Sequence, residues 1–336
     1  MRKKYLDLVR VCALVPVITI HLISRAMNSA DVASAQFSAM VVIDAFCRAA
    51  VPLFAMCSGA IFLDRQDPPG KLLSAIGRIY FYGFFFNVIY EAADGMLAGG
   101  VDWGAVLTDS LAMRWRYQLW YLREVLVMYA SVPLLRWFIR RGSPAVDAAV
   151  LAGLLAIQLP WYLTYQPLSG PVTSWTGYIL YFYLGWYLDR RHPRWLRWIL
   201  IPGAVWAVWF MAAQTQQACR AAGGLVETYL DYLAFPAVVY AGALFVWAST
   251  LEAKLDGRRL ARQMRYNFGI YLFHGLVIGL LYYSGMVDLY HYSTLAVLPL
   301  YVAVVYAGAL GLSWLWNAAV SAFRQWGKRR YVTHDG

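Results

Sequence analysis

Four ionisable side chains lie within or against one apolar stretch near the start of this chain. They are Asp7, Arg10, His21 and Arg25, in LDLVRVCALVPVITIHLISR. An imidazole can take a proton near neutral pH, and a guanidinium can hold a phosphate or carboxylate. Such groups are costly at membrane depth and mark functional cavities. At ~100° per residue, Arg10 and His21 fall only about 20° apart around a continuous helix, and Asp7 and Arg25 lie within about 40° of His21. At ~1.5 Å rise per residue, Arg10 and His21 are about 16 Å apart along the axis. One helix face thus becomes a polar track through half a bilayer, with a base at one end.

Other charges invite two readings each. Arg48 stands in the second apolar run, one turn after Asp44. The two form an i,i+4 pair that lowers the cost of both, or Arg48 is a fixed cation facing a cavity. We favour the cavity, because a purely structural membrane helix avoids both charges. Arg25 is either an interfacial cation whose head reaches water or part of the site. Arg123 and Glu124, in LWYLREVL, are either an interfacial pair or site residues. Glu91 and Asp94, in YEAADG, read as solvated at a helix end, and Arg220 as a solvated loop residue. His274, in GIYLFHGLVI, reads from its surroundings as a helix–helix hydrogen-bonding group. His192 and His334 read as solvated, and His291 as an outer-loop residue.

The elements that position these groups follow from composition. The chain has 336 residues, of which 61% are hydrophobic and 14% charged. Its mean hydropathy is +0.50. A soluble domain has nearly twice that charged fraction, so an integral membrane protein is expected. The expected fold is all-α, a polytopic membrane bundle of about ten transmembrane helices. The spans lie near 6–26, 40–63, 74–97, 118–138, 146–164, 174–189, 195–213, 229–250, 267–285 and 294–320. Residues 1–336 form one membrane domain, ending in a basic tail at about 322–336. The first run carries Arg2, Lys3 and Lys4 ahead of it but no clear small-residue cleavage site, so it reads as a retained span.

Most of the 29 Lys and Arg residues then fall on one side of the membrane. They cluster before the first span and after the second, fourth, sixth, eighth and tenth. The positive-inside rule makes that side cytoplasmic and puts both termini there. The net charge of +11 is thereby explained by orientation and contact with anionic membrane lipids, with no nucleic-acid partner. The largest outer loops are near 98–117 and 214–228, with Trp103, Trp115, Tyr117, Trp161, Tyr162 and Tyr165 as interfacial aromatics. Cys12, Cys47 and Cys57 lie in spans and Cys219 in a loop, so neither a disulfide framework nor a metal site is expected.

The motifs also resemble a known family. YLDLVRVCALVPVITIH, with Asp7, Arg10 and His21, resembles the first-helix signature of membrane acyltransferase family 3. CRAAVPLFAMCSGAIF, with Arg48, Pro52, Phe54, Ser58 and Gly59, resembles its second-helix motif. YQLWYLREVLVMYASVPLLR, GYILYFYLGWYL and NFGIYLFHGLVI, the last with Tyr271 and His274, resemble later spans in the same order. The likeness covers most of the chain and is closest to single-module members that acetylate bacterial surface glycans. Two departures stand out. Gln118 occupies a place where members often have His, and Ala55 follows Phe54 where many have a second Phe.

The resemblance implies an O-acyltransferase of the inner cell membrane. It would move an acyl group, acetyl first, from cytoplasmic acyl-CoA to a hydroxyl of a surface glycan or lipid-linked sugar. His21 is then the expected base, with Arg10 and Asp7 beside it; a transient acyl-histidine is the rival route. Arg10, Arg48, Ser58, Trp120, Tyr121, Tyr271 and His274 are the expected donor-binding residues. Acyl-CoA is the co-substrate and no metal is needed. A transporter of a glycan precursor or anionic metabolite, and a non-catalytic membrane sensor or scaffold, are the alternative classes.

Overall fold

Two prolines shape the first two spans. Pro16 has no N–H for the Cys12 carbonyl, and Pro52 has none for that of Arg48. In the computed structural model the first span accordingly runs as α1 (Lys4–Cys12) and α2 (Leu14–Ser29), and the second as α3 (Ala35–Cys47) and α4 (Ala50–Phe62). The structure describes residues 3–165, 170–192, 195–286 and 294–332. Every element among them is helical. After α4 come α5 (Pro69–Leu97), α6 (Trp103–Leu111), a 3-10 turn Tyr117–Leu119 and α7 (Trp120–Ile139). Then follow α8 (Pro144–Thr164), α9 (Gly170–Arg191), α10 (Leu196–Ala222), α11 (Phe235–Ser249), α12 (Gly257–Tyr283) and α13 (Thr294–Val332).

Among the described residues, seven helical segments are long and apolar enough to cross a membrane. The sequence suggests about ten. The three that fall short are α7, α9 and α12, each a helix where a span is expected. Charge or polarity accounts for two of them. Arg123, Glu124 and Arg136 lie on α7, and Asn267 and His274 on α12. Two loop expectations also need correction. The stretch 98–117 contains α6, which Asp102 starts by accepting a hydrogen bond from the Ala105 N–H at 3.0 Å. Cys219 and Arg220 lie on α10, not in a loop. Cys219 is buried and its Sγ accepts the Val226 N–H at 3.2 Å.

Packing divides the helices into an inner and an outer set. The segments Lys4–Ser29, Ala35–Phe62 and Thr228–Ser249 are mostly buried, whereas only about a fifth of the apolar stretch of α5, α8, α10 and α13 is buried. The outer set shows Phe81, Leu163, Val205 and Leu300 on its surface, as lipid-facing helices do. α4 and α9 make a close crossing. A Cβ at Gly59 would overlap the Phe182 carbonyl, and one at Gly185 the Met56 backbone. Small residues let membrane helices approach in this way.

The first helix is tied down at its start. The Glu252 carboxylate accepts the backbone N–H groups of Lys4 (3.1 Å) and Tyr5 (2.7 Å). A carboxylate is favourable at the positive end of a helix, where N–H groups lack intrahelical partners. Asp189 accepts from both the Lys3 ammonium and the Tyr5 hydroxyl. α1 therefore enters the bundle in a set position, and with it the face that carries Asp7 and Arg10.

Candidate functional site

Arg10 and His21 line two consecutive cavities. One of about 370 Å³, called outer after the orientation expected from the sequence, is lined by His21, Arg25, Tyr90, Asp94, Gln118 and Gly275, among others. An inner one of about 150 Å³ is lined by Arg10, Ser58, Tyr121, Tyr129, Asn267 and Tyr271, among others. The same helices build both, in consistent order. Arg10 on α1 leads to His21 on α2, Ile79 to Tyr90 on α5, and Asn267 to Gly275 on α12. α7 runs the other way, with Gln118 just before it at the outer cavity and Tyr121 to Tyr129 at the inner one.

The wall between the cavities is a hydrogen-bonded cluster. The Tyr271 hydroxyl donates to the Gln118 carbonyl, and the Gln118 side-chain amide donates to the Tyr90 hydroxyl. Tyr90 in turn donates to the Leu272 carbonyl at 2.9 Å. Gly275 admits this cluster, since a Cβ there would stand 2.7 Å from the Tyr90 hydroxyl and 2.8 Å from Gln118 Nε2. Gln118 is thus a buried structural hydrogen-bonding group. A side-chain amide cannot act as a general base.

His21 is half-buried on the outer cavity, and its ring centroid lies 5.3 Å from that of the buried His274. His274 Nδ1 is 2.7 Å from the Tyr271 carbonyl. A carbonyl only accepts, so Nδ1 carries the proton and the lone pair lies on Nε2. That Nε2 is buried without a hydrogen-bond partner among the described residues. Arg25, read either way from sequence, lines the outer cavity with its guanidinium 4.7 Å from the centre of the Tyr282 ring.

In the inner cavity two buried polar atoms also lack partners among the described residues: Arg10 Nε and Asn267 Oδ1. Asn267 Nδ2 donates to the Arg10 carbonyl at 3.0 Å, which ties α12 to α1. Ser58 donates to the Phe54 carbonyl at 2.8 Å and keeps its oxygen on the cavity. Asp7 is buried less than one helical turn before Arg10.

The remaining expected residues separate. Tyr121 lines the inner cavity, but its neighbour Trp120 lines a third hollow with Trp161, Ser174, Tyr178, Asp231 and Tyr232. Arg48 is engaged in the pair weighed from sequence. Its Nε and Nη2 donate to the two Asp44 oxygens at 2.7 and 2.6 Å, and Nη2 also reaches Glu227 at 3.0 Å. The guanidinium lies 5.1 Å from the centre of the Tyr232 ring. Glu91, read as solvated, is buried, 3.0 Å from the Arg116 guanidinium and 3.4 Å from the Asn87 amide. Arg123 meets Glu124 at 3.6 Å, with Glu124 buried. His291 and His334 lie outside the described residues.

Sequence reasoning missed Asn267 and Tyr90. Asn267 had a signal: Asn267, Tyr271 and His274 are spaced i, i+4, i+7 on one face of an otherwise apolar helix. Tyr90 had none, because one tyrosine among many in apolar runs carries no mark of its partners.

A family model described as an acyltransferase domain matches residues 3–317. The chain belongs to acyltransferase family 3. The match reaches from the N-terminal face of α1 into α13, so both cavities of this family 3 protein lie within it. Family and apolar helices together make it a membrane acyltransferase. No curated protein and no solved structure matches the chain.

Proposed function

We propose that the protein moves an acyl group, acetyl by preference, from cytoplasmic acyl-CoA to a hydroxyl of a surface glycan or lipid-linked sugar. It does so in the inner cell membrane, with both termini cytoplasmic. The observation that carries this reading is the pair of cavities in series, one holding Arg10 and the other His21. The donor arm enters the inner cavity past Arg10, Ser58, Tyr121 and Tyr271. The acceptor hydroxyl reaches the outer cavity at His21.

In this mechanism His21 takes the proton of the acceptor hydroxyl. The oxygen attacks the thioester carbonyl, the C–S bond breaks, and the CoA sulfur leaves with the proton that His21 took. The outer cavity has room for a sugar ring and carries Tyr117, Gln118 and Asp94 as hydrogen-bonding groups. Arg48 acts at a distance, holding the junction of α3 and α4 through Asp44 and Glu227. Trp120 and Tyr232 stack with centroids 5.9 Å apart and planes inclined at 28°, and Trp120 touches Tyr121 edge-on.

The test uses purified protein in lipid with radiolabelled acetyl-CoA and an envelope-glycan fraction. Wild type should release CoA and place label in glycan, and folded His21→Ala should do neither. Label transfer by His21→Ala at the wild-type rate would remove the base assignment. Folded wild type that consumes neither acetyl-CoA nor succinyl-CoA would remove the acyl-CoA reading and favour transport or scaffolding.

A further inference from the structure

The inner cavity contains an unanswered donor beside an unanswered acceptor. Arg10 Nε and Asn267 Oδ1 are both buried, both without a partner among the described residues, and both belong to residues lining the same space of about 150 Å³. Their roles are not interchangeable. A guanidinium N–H only donates. The Asn267 amide is oriented by chemistry, because the Arg10 carbonyl 3.0 Å away accepts only a nitrogen donor and so turns Oδ1 to the free side. Buried polar atoms left unpaired in this way are uncommon and costly. Two in one hollow describe the ligand that would pair them.

That ligand must offer an acceptor and a donor a few atoms apart. A phosphate or carboxylate would answer Arg10 but meet Asn267 oxygen to oxygen. An ester has acceptors alone. A secondary amide has both groups, and in its trans form they point to opposite sides of the chain. Here the donor belongs to α1 and the acceptor to α12, and both residues line one cavity, so an extended amide within it can meet one with each edge. The rest of the wall is mostly apolar, including Phe54, Ile79, Leu122, Val125 and Phe268. So small a space admits a slim chain and excludes a nucleotide.

We propose that Arg10 and Asn267 form a secondary-amide site, occupied by an amide of the pantetheine arm of coenzyme A. The inference rests on the acyl-CoA reading above and adds the group that fixes the depth of the arm. Arg10 Nε–H donates to the amide carbonyl. Asn267 Oδ1 accepts the amide N–H. Asn267 is therefore a donor-binding residue for the coenzyme and has no part in recognising the acceptor.

The experiment compares acetyl-CoA with two synthetic analogues, in each of which one pantetheine amide N–H is replaced by an ester oxygen. Wild type should show kcat/KM about 10-fold lower for one of these analogues, the loss expected when a buried acceptor goes unpaired. In Asn267→Leu, acetyl-CoA should fall to the level of that analogue, with KM for the acceptor unchanged. Equal use of all three donors by wild type overturns the proposal, and this result needs no variant to fold. So does an Asn267→Leu protein that slows every donor by the same factor, since that is the mark of a structural role. Wild type that turns over no acyl-CoA at all defeats the acyl-CoA reading itself, and this inference with it.

Discussion

The rings of His21 and His274 face one another with centroids 5.3 Å apart and planes inclined at 39°. They come from α2 and α12, so the pair exists only in the assembled bundle. His274 is oriented by the Tyr271 carbonyl and keeps a lone pair on Nε2. We expect His21→Ala to lose about 10²–10⁴-fold in transfer, the usual worth of a general base. His274→Phe keeps the ring and removes both nitrogens, and should cost about 10-fold, through the placement of its neighbour. Transfer assays on both proteins, with circular dichroism to check folding, decide this. An inactive His274→Phe beside an active His21→Ala would reverse the roles.

Gly275 sits against the wall between the cavities. A valine there would push on Tyr90 and Gln118 from less than 3 Å. Overpacking of this kind typically costs about 1–3 kcal/mol. Gly275→Val should therefore melt at a lower temperature in detergent and transfer less acyl group. A variant with unchanged melting and unchanged transfer would mean that the wall yields freely.

Arg48 and Asp44 are both buried and joined by two hydrogen bonds. Removing one partner strands the other charge, at a cost of about 3–5 kcal/mol. Arg48→Met should thus be strongly destabilised. The double variant Asp44→Leu/Arg48→Met should regain most of the loss, because an apolar pair pays no desolvation. Denaturation in micelles of the two variants and wild type measures the coupling directly.

Tyr117 lies in the turn before α7 and donates to the Asp94 carboxylate at 2.7 Å. Burial, and then the bond to Asp94, push its phenol up to about 12. An unfolded tyrosine ionises near ~10. The neutral phenol is therefore favoured by the fold. Its contribution is complete below the unfolded value and disappears as pH rises through about 12. Wild type should lose stability between these values more steeply than Tyr117→Phe, in thermal melts at a series of alkaline pH values. Parallel pH profiles would contradict the assignment.

How much of this was legible in the sequence depends on distance along the chain. The shared face of Arg10 and His21 follows from helical repeat alone, and the two do line successive cavities. The helix between them is broken, however, because Pro16 leaves the Cys12 carbonyl without its donor. Trp120 and Tyr121 were grouped as one motif, yet adjacent residues point about 100° apart on a helix and meet different hollows. Glu91 looked solvated because its partners arrive from elsewhere, Arg116 from the stretch after α6 and Asn87 from one turn back. The contact of Gln118 with Tyr90 spans 28 residues and depends on the packing of α12 through Gly275. No local pattern records it.

The wall of Tyr90, Gln118 and Tyr271 also bears on the voltage across the membrane. Moving one charge down 100 mV releases about 2.3 kcal/mol, so any continuous column of water would act as a short circuit. Two hollows in series come close to being such a column. Side chains bonded to one another keep them apart. Acyl transfer at such a partition would hold back protons and sodium ions. A membrane acyltransferase built in this way would leave the ion gradient across its membrane intact.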